Sequence, residues 1–383
     1  MITGLIASGL ASGVLIGAVL RRSDLCFHAM FRGAWSRRTD LLATWLLAVA
    51  IGSVGLCLVF AIDPGSGPDL TRGLAFDPVS NIVGGIVIGL GMVVARSGVS
   101  GLFYKLGAGM LGALAGLLGW FLGDLAVRNV DLPGSNVLRS GDAGTVPHLI
   151  HVPRIIVTML LLAGVLWWVA RRPSTDDATW DPRLAGPALG VALVVAWALA
   201  GWAGAMFGPA AVGAPTQLYD KLRYDGLPNW WLLAFLGGLV VGSLVVSSAR
   251  GQLRARGETP ARYAQLVVGG VLLGAGGRIG AGDNLDHGLS GVALLSVSSW
   301  VVVLAMAGGV GLGILGERAL GRAGATWRAS TNEERDQPDD APPSTGSGGA
   351  GVAGSRVAAL ATGGWAKFTQ PSRARPKTPS DLG

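Results

Sequence analysis

The sequence predicts an all-α polytopic membrane protein of about nine transmembrane helices, arranged as two inverted repeats of four with broken, re-entrant segments at the centre. Three observations predict it. Half of the 383 residues are apolar and only 14% are Asp, Glu, Lys or Arg, against about 25% in a soluble domain. Sixteen of those charged residues lie after Gly316, so the rest of the chain is too apolar for a surface in water. Nine apolar runs approach the length of about 17–25 residues that crosses a bilayer, and a glycine-rich stretch recurs at an offset of 185 residues.

The first run, 2–20, ends at Arg21-Arg22 with no small-residue cleavage site beyond it, so it reads as a retained helix rather than a signal peptide. Gly9, Gly13 and Gly17 recur every four residues along it, a small face on which a neighbouring helix can pack closely. Runs 41–62, 79–95 and 106–127 complete a first membrane repeat, 1–127. Run 154–170 stands in a linker, 128–185. Runs 186–206, 230–249, 264–279 and 289–316 form the second repeat, 186–316. The stretch 317–383, rich in Pro, Gly, Ser and charges of both signs, reads as a disordered cytoplasmic tail. Its Trp365 and Phe368, among Lys367, Arg373, Arg375 and Lys377, suit an anionic lipid surface or a solvated tail.

The formal net charge of +7 does not point to nucleic acid, because the arginines cluster beside spans, where they set orientation. Arg21, Arg22, Arg32, Arg37 and Arg38 follow the first run, Arg171 and Arg172 the fifth, and Arg250, Arg254, Arg256 and Arg262 the seventh. With nine crossings these loops share one side, the cytoplasm, which puts the N-terminus outside and the C-terminus inside. The loop 63–78, with three Asp and one Arg, suits the outer side.

The repeat aligns Val83–Gly91 with Val268–Gly276, pairing Gly84 with Gly269, Gly85 with Gly270, Gly89 with Gly274 and Gly91 with Gly276. Each copy runs into a polar stretch broken by glycine, Ala95–Gly101 and Gly280–Gly288. Free backbone groups are costly in hydrocarbon and survive at depth only inside protein or against a wet cavity. Paired broken segments in two halves point to a transporter's binding site.

Three polar clusters stand where apolar residues are cheaper: Arg22 to Arg32, Ser97 to Lys105, and Arg278 to Ser290. Ionisable groups in membrane segments usually face a pathway or each other. Arg22 and Arg32 serve either the pathway or topology, Lys105 supports the path or snorkels, and Arg278 lines the path or pairs with Asp283 or Asp286. Asp283 and His287 are spaced to share one helical face. Cys57 lies inside a span as a small packing residue, and with Cys26 makes no disulfide framework. No Walker loop is present, Gly280-Ala281-Gly282 lacks the strand-to-helix setting of a nucleotide loop, and pairs such as Cys26 with His28 or His148 with His151 are weak as metal sites. No cofactor and no enzyme activity are expected.

These clusters resemble the YeeE/YedE family of bacterial membrane proteins, associated with uptake of thiosulfate and other sulfur compounds, over roughly residues 1–316. Arg278 to Gly291, followed by Leu295-Ser296-Val297-Ser298-Ser299, is similar to the family's R-x-A-G-G-C-x-x-G-H-G-L-S-G and L-S-x-x-S. Ala95 to Gly109 resembles A-G-G-C-x-S-G-x-x-Y-[RK]-x-G-x-G, and Arg22 to Arg32 resembles R-x-x-x-C-x-x-x-x-x-R. In thiosulfate-transporting members, cysteines line the path and hand the anion along by thiol hydrogen bonds. The resemblance implies that Cys26 is the first of these, while Gly98 and Asp283, partners in the repeat, stand at the other two. An ionised carboxylate only accepts hydrogen bonds and repels anions, so Asp283 serves an anion when protonated or neutralised by Arg278.

The expectation is therefore a permease for a small sulfur-containing solute, a thiosulfate-like anion first. Cys26, Gly98, Ser100, Arg278, Asp283, His287 and Ser290 would line the path, with Arg22, Arg32 and Lys105 in support. Movement is passive or ion-coupled, with Asp283 and His287 as candidate proton carriers. The bilayer and a cytoplasmic sulfur-carrier protein are the expected partners. The rivals are a non-transporting membrane scaffold or accessory subunit, a permease for another small solute and, more weakly, a membrane enzyme acting through Cys26.

Overall fold

A computed structural model describes residues 2–62, 74–130, 132, 134, 136–172, 180–205, 207–226 and 228–335, with side chains as far as position 320. Most of the loop after Ile62, and the tail beyond Arg335 with Trp365 and Phe368, fall outside that description. The chain forms α1 (Ile2–Ser23), α2 (Phe27–Trp35), α3 (Asp40–Ile62), α4 (Pro78–Ala95), α5 (Val99–Gly107), α6 (Gly112–Ala126), α7 (Val146–Leu149), α8 (Arg154–Ala170), α9 (Pro182–Trp202), α10 (Ala214–Tyr224), α11 (Trp230–Ala249), α12 (Pro260–Ile279), a π-helical turn (Asp286–Gly291) and α13 (Val297–Arg335).

Among the described residues, six helical stretches are long and apolar enough to cross a membrane, and α6 and α8 are shorter apolar helices. With α12, which carries Arg262 and Arg278, the nine apolar runs of the sequence all reappear as helices. The protein is an all-α polytopic membrane protein. Leu111, Leu114, Leu118 and Leu122 form an exposed stripe along α6, as suits a helix facing lipid.

Three boundaries differ from the sequence reading. Run 106–127 is not continuous: α5 ends at Gly107, Gly109 takes φ 91° and α6 begins at Gly112. The ninth run becomes α-helix only at Val297, because the π turn and Leu295, at φ 60°, precede it. Helix also continues past Gly316 to Arg335, where irregular chain was expected. Glu317, Arg318, Ala319 and Leu320 are strong helix formers.

Residues through Leu315 form one compact body. The 185-residue offset carries α1 onto α9, α2 onto α10, α3 onto α11, α4 onto α12, α5 onto the π turn, and α6 onto the start of α13. Packing respects the exchange. Helix α1 packs on α11 as α9 packs on α3, and α1 meets α9 as α4 meets α12. Helix α6 packs on α12, as α13 packs on α4 through Val302, Ala305 and Met306. Helix α8, in the linker, lies on α3 through Val165 and Val169.

The matched glycines explain why. A Cβ on Gly84 would strike the backbone nitrogen of Gly280, and one on Gly269 would strike that of Ala95. The start of α4 thus touches the end of α12 and the start of α12 the end of α4, so the two run antiparallel at backbone contact. Gly85 and Gly89 give the same closeness to α13, and Gly270 and Gly274 to α6. Both central helices begin with a capping residue and proline, Asp77-Pro78 and Thr259-Pro260. Both are followed by a non-glycine residue in the left-handed region at matched positions, Arg96 (φ 54°) and Ala281 (φ 56°), a conformation that side chains disfavour.

Candidate functional site

Each break leaves carbonyls that lipid cannot satisfy, and side chains answer them. Lys105 Nζ donates to Arg96 O at 2.9 Å and Ser97 Oγ at 3.1 Å. Arg262 donates to Ala95 O at 2.6 Å. At the second break Asn81 Nδ2 donates to Gly280 O at 2.9 Å. His287 Nε2 lies 2.9 Å from the same oxygen and its Nδ1 lies 3.0 Å from Ser299 Oγ. Both ring nitrogens are engaged, so His287 ties the second break to α13. Ser290 Oγ donates to Pro209 O, and Trp45 Nε1 reaches Gly288 O from α3.

Cys26 caps the start of α2 and is 5% exposed. Its sulfur meets the backbone N–H groups of His28, Ala29 and Gly98 and the hydroxyl of Tyr104, within the electrostatic reach of Lys105. Gly98 caps α5, and the missing side chain of Gly101 leaves room beside the Cys26 sulfur. His28, also buried, has no hydrogen-bond partner at Nε2 among the described residues.

In the second half, Asp283 Oδ1 accepts from Leu285 N at 2.7 Å and Asp286 N at 3.4 Å. Its Oδ2 is buried with no partner among the described residues. Asp286 Oδ2 sits in a nest of three main-chain N–H groups, of Ala211 (3.1 Å), Val212 (3.1 Å) and Asp283 (3.2 Å). Ala211 is the repeat partner of Cys26, and Asp286 that of Gly101. The contact between Cys26 and Gly101 in one half is thus mirrored by Ala211 and Asp286 in the other, with the side chain on the opposite member.

The halves meet at Asn284. Its Oδ1 accepts from Val99 N at 2.9 Å, and its Nδ2 donates to Ser100 Oγ at 2.6 Å. Val99 and Asn284 are themselves 185 residues apart, so the junction joins a repeat position to its own partner. Asn284, Ser97, Asn81 and Tyr104 were not singled out from the sequence. The offset of 185 applied to Val99 is the signal that finds Asn284.

A cavity of about 620 Å³, lined by Asp77, Ser80, Arg128, Val212, Arg278 and Ala281 among others, lies at the start of α4 and the end of α12. A small one of about 20 Å³, lined by Ala95, Ser97, Lys105 and Arg262, lies at the opposite ends of the same helices. Arg278 faces the large cavity and reaches Arg128 O at 3.4 Å; it pairs with neither Asp283 nor Asp286. The alternative of an Arg278 salt bridge to those carboxylates is therefore not realised. Arg22 lies in the last turn of α1 over the Trp180 ring at 5.2 Å, and Arg32, exposed, lies in the last turn of α2.

Residues 22–312, which contain both breaks and their surroundings, match the family model described as sulphur transport. The chain belongs to the sulphur transport family. Within that family it is similar to the thiosulfate transporter TsuA of Escherichia coli, 26% identical over 331 residues, covering 80% of this chain and 93% of the relative. It is also similar to the thiosulfate transporter TsuA of Spirochaeta thermophila, 25% identical over 319 residues, covering 78% of this chain and 94% of that protein. The sulphur transport family is one of membrane transporters, not of enzymes.

Proposed function

We propose that the chain is an inner-membrane permease for a thiosulfate-like sulfur anion, which moves between two inverted repeats. One observation carries the reading: the two breaks meet at a buried junction with cavities at opposite ends of antiparallel α4 and α12. Repeat partners that run antiparallel are what an axis in the membrane plane requires. Arg128 is paired with Asp220 and Asp77 shares the lining, so Arg278 is the cation that the larger cavity offers an anion. From there the path runs past Asp283, to Ser100 and Gly98 at the start of α5, and to the thiol of Cys26, with Lys105 in support. His287 and Ser290 hold the second break in shape, and Asp283, whose Oδ2 has no partner among the described residues, serves the anion as a protonated donor. On the arginine-rich side, Arg21, Arg254 and Arg256 surround a cavity of about 320 Å³, a basic surface for a cytoplasmic sulfur-carrier protein.

The test is radiolabelled thiosulfate uptake in bacteria deprived of their own sulfur importers. The wild-type chain is expected to take up label, and Cys26→Ala and Asp283→Ala, at equal abundance, to lose most of it. A well-folded wild-type protein that moves no thiosulfate rejects this substrate.

A further inference from the structure

One buried carboxamide joins the two breaks. Asn284 is fully buried and Ser100 is 1% exposed. The first free N–H of α5 is a place where an anionic oxygen binds well, yet Asn284 Oδ1 occupies it at 2.9 Å. The other end of the amide holds Ser100 Oγ at 2.6 Å, using the acceptor side of a hydroxyl that can otherwise turn to a ligand. Room for the amide exists because position 98 is glycine: a Cβ there would lie 3.0 Å from Asn284 Oδ1. Beside Asn284 in the chain, Asp283 keeps a buried carboxylate oxygen without a partner among the described residues. The backbone N–H of Gly98 meets the sulfur of Cys26.

Resting on the permease reading above, we infer that Asn284 is the plug of the pathway, a tethered stand-in for the substrate's oxygen. Its carboxamide holds the N-terminus of α5 while the path is empty and gives up Val99 N–H and Ser100 Oγ when an anion arrives. Neither Val99 N–H nor Ser100 Oγ is then ever left bare in the interior, where an unmade hydrogen bond is costly. Two discrete hydrogen-bonded states, amide bound or anion bound, make an occluded path that opens without a large motion of helices.

The plug is tested by the reactivity of Cys26 toward an anionic methanethiosulfonate, which forms a mixed disulfide with the thiol and releases methanesulfinate. With Cys57→Ser as background, Cys26 is the single thiol. Asn284→Ala is expected to raise its labelling rate roughly thirtyfold, the factor that two lost buried hydrogen bonds of about 1 kcal/mol each give. Ser100→Ala, which frees the amide from one side, is expected to fall between and keeps the test open if Asn284→Ala folds poorly. In a Cys26→Ser background, labelling of Cys57 is expected to stay unchanged by Asn284→Ala. Equal Cys26 rates with and without Asn284, or acceleration at Cys57 to the same extent, overturn the plug. No thiosulfate enters this assay, so a chain that fails to carry thiosulfate but labels as expected loses the substrate reading and keeps the plug.

Discussion

Asp283 concentrates the chemistry of a single residue. One of its carboxylate oxygens takes two main-chain N–H groups while the other has no partner among the described residues. Protonated, Oδ2 is a donor; ionised, it only accepts hydrogen bonds and repels an anion. Two substitutions separate donor from charge. Asp283→Asn and Asp283→Cys both present a neutral donor and are expected to keep at least half of the wild-type initial uptake per folded molecule, whereas Asp283→Leu loses about tenfold or more, equivalent to roughly 1.4 kcal/mol. Rates normalised to protein level decide it, and loss in all three variants would show that the position needs the carboxyl itself. His287 is the contrasting residue. Its two nitrogens are spent on Gly280 O and Ser299 Oγ, so His287→Ala is expected to cost about 1–3 kcal/mol of stability per buried group left unsatisfied. A lower melting temperature in detergent, with partial recovery in His287→Gln, is the expected outcome.

Among the elements, the crossing of α4 and α12 decides the fold around the site. Their glycines are packing devices, because backbone meets backbone where a side chain would otherwise stand. Gly84→Ala and Gly269→Ala push a methyl group against a main-chain nitrogen that has no rotamer to escape into. Each is expected to destabilise the protein by about 1–3 kcal/mol, as overpacking does. Gly164→Ala in α8, where nothing lies within 4 Å of the added carbon, is expected to be neutral or stabilising. Thermal melts of the three variants in one detergent make the comparison, and equal behaviour would remove the crossing from the account. The breaks depend on the same geometry, since Asn81 from α4 and Arg262 from α12 each cap a carbonyl at the end of the other helix.

For the molecule as a whole, orientation and charge would set the direction from which the proposed substrate arrives. If the arginine-rich loops are in the cytoplasm, the larger cavity with Arg128 and Arg278 faces outward, at the start of α4. A fluorescent protein fused to the C-terminus is expected to fluoresce, and alkaline phosphatase fused there to be inactive; the reverse pattern would invert the assignment. Removing Arg278 is expected to raise the thiosulfate concentration for half-maximal uptake several-fold and to weaken its dependence on salt, because an exposed attraction is screened over about 8 Å at physiological ionic strength.

The sequence by itself determined the membrane class, the nine helical runs and the two breaks, and it suggested the pairing of the halves by offset. All of these are written locally, in the length of apolar runs and the spacing of glycines. It also located Cys26, Asp283 and Arg278, because polar residues inside apolar runs stand out wherever they point. Only the tertiary structure decided what those side chains touch. Arg278 faces a cavity instead of the carboxylates, His287 is fully engaged, and helix begins at Val297 because the chain must first turn through the π segment. Asn284 was invisible for the same reason. Its partners, Val99 and Ser100, lie 185 and 184 residues away, and contacts over such a separation depend on how two halves cross, which periodicity and composition do not record.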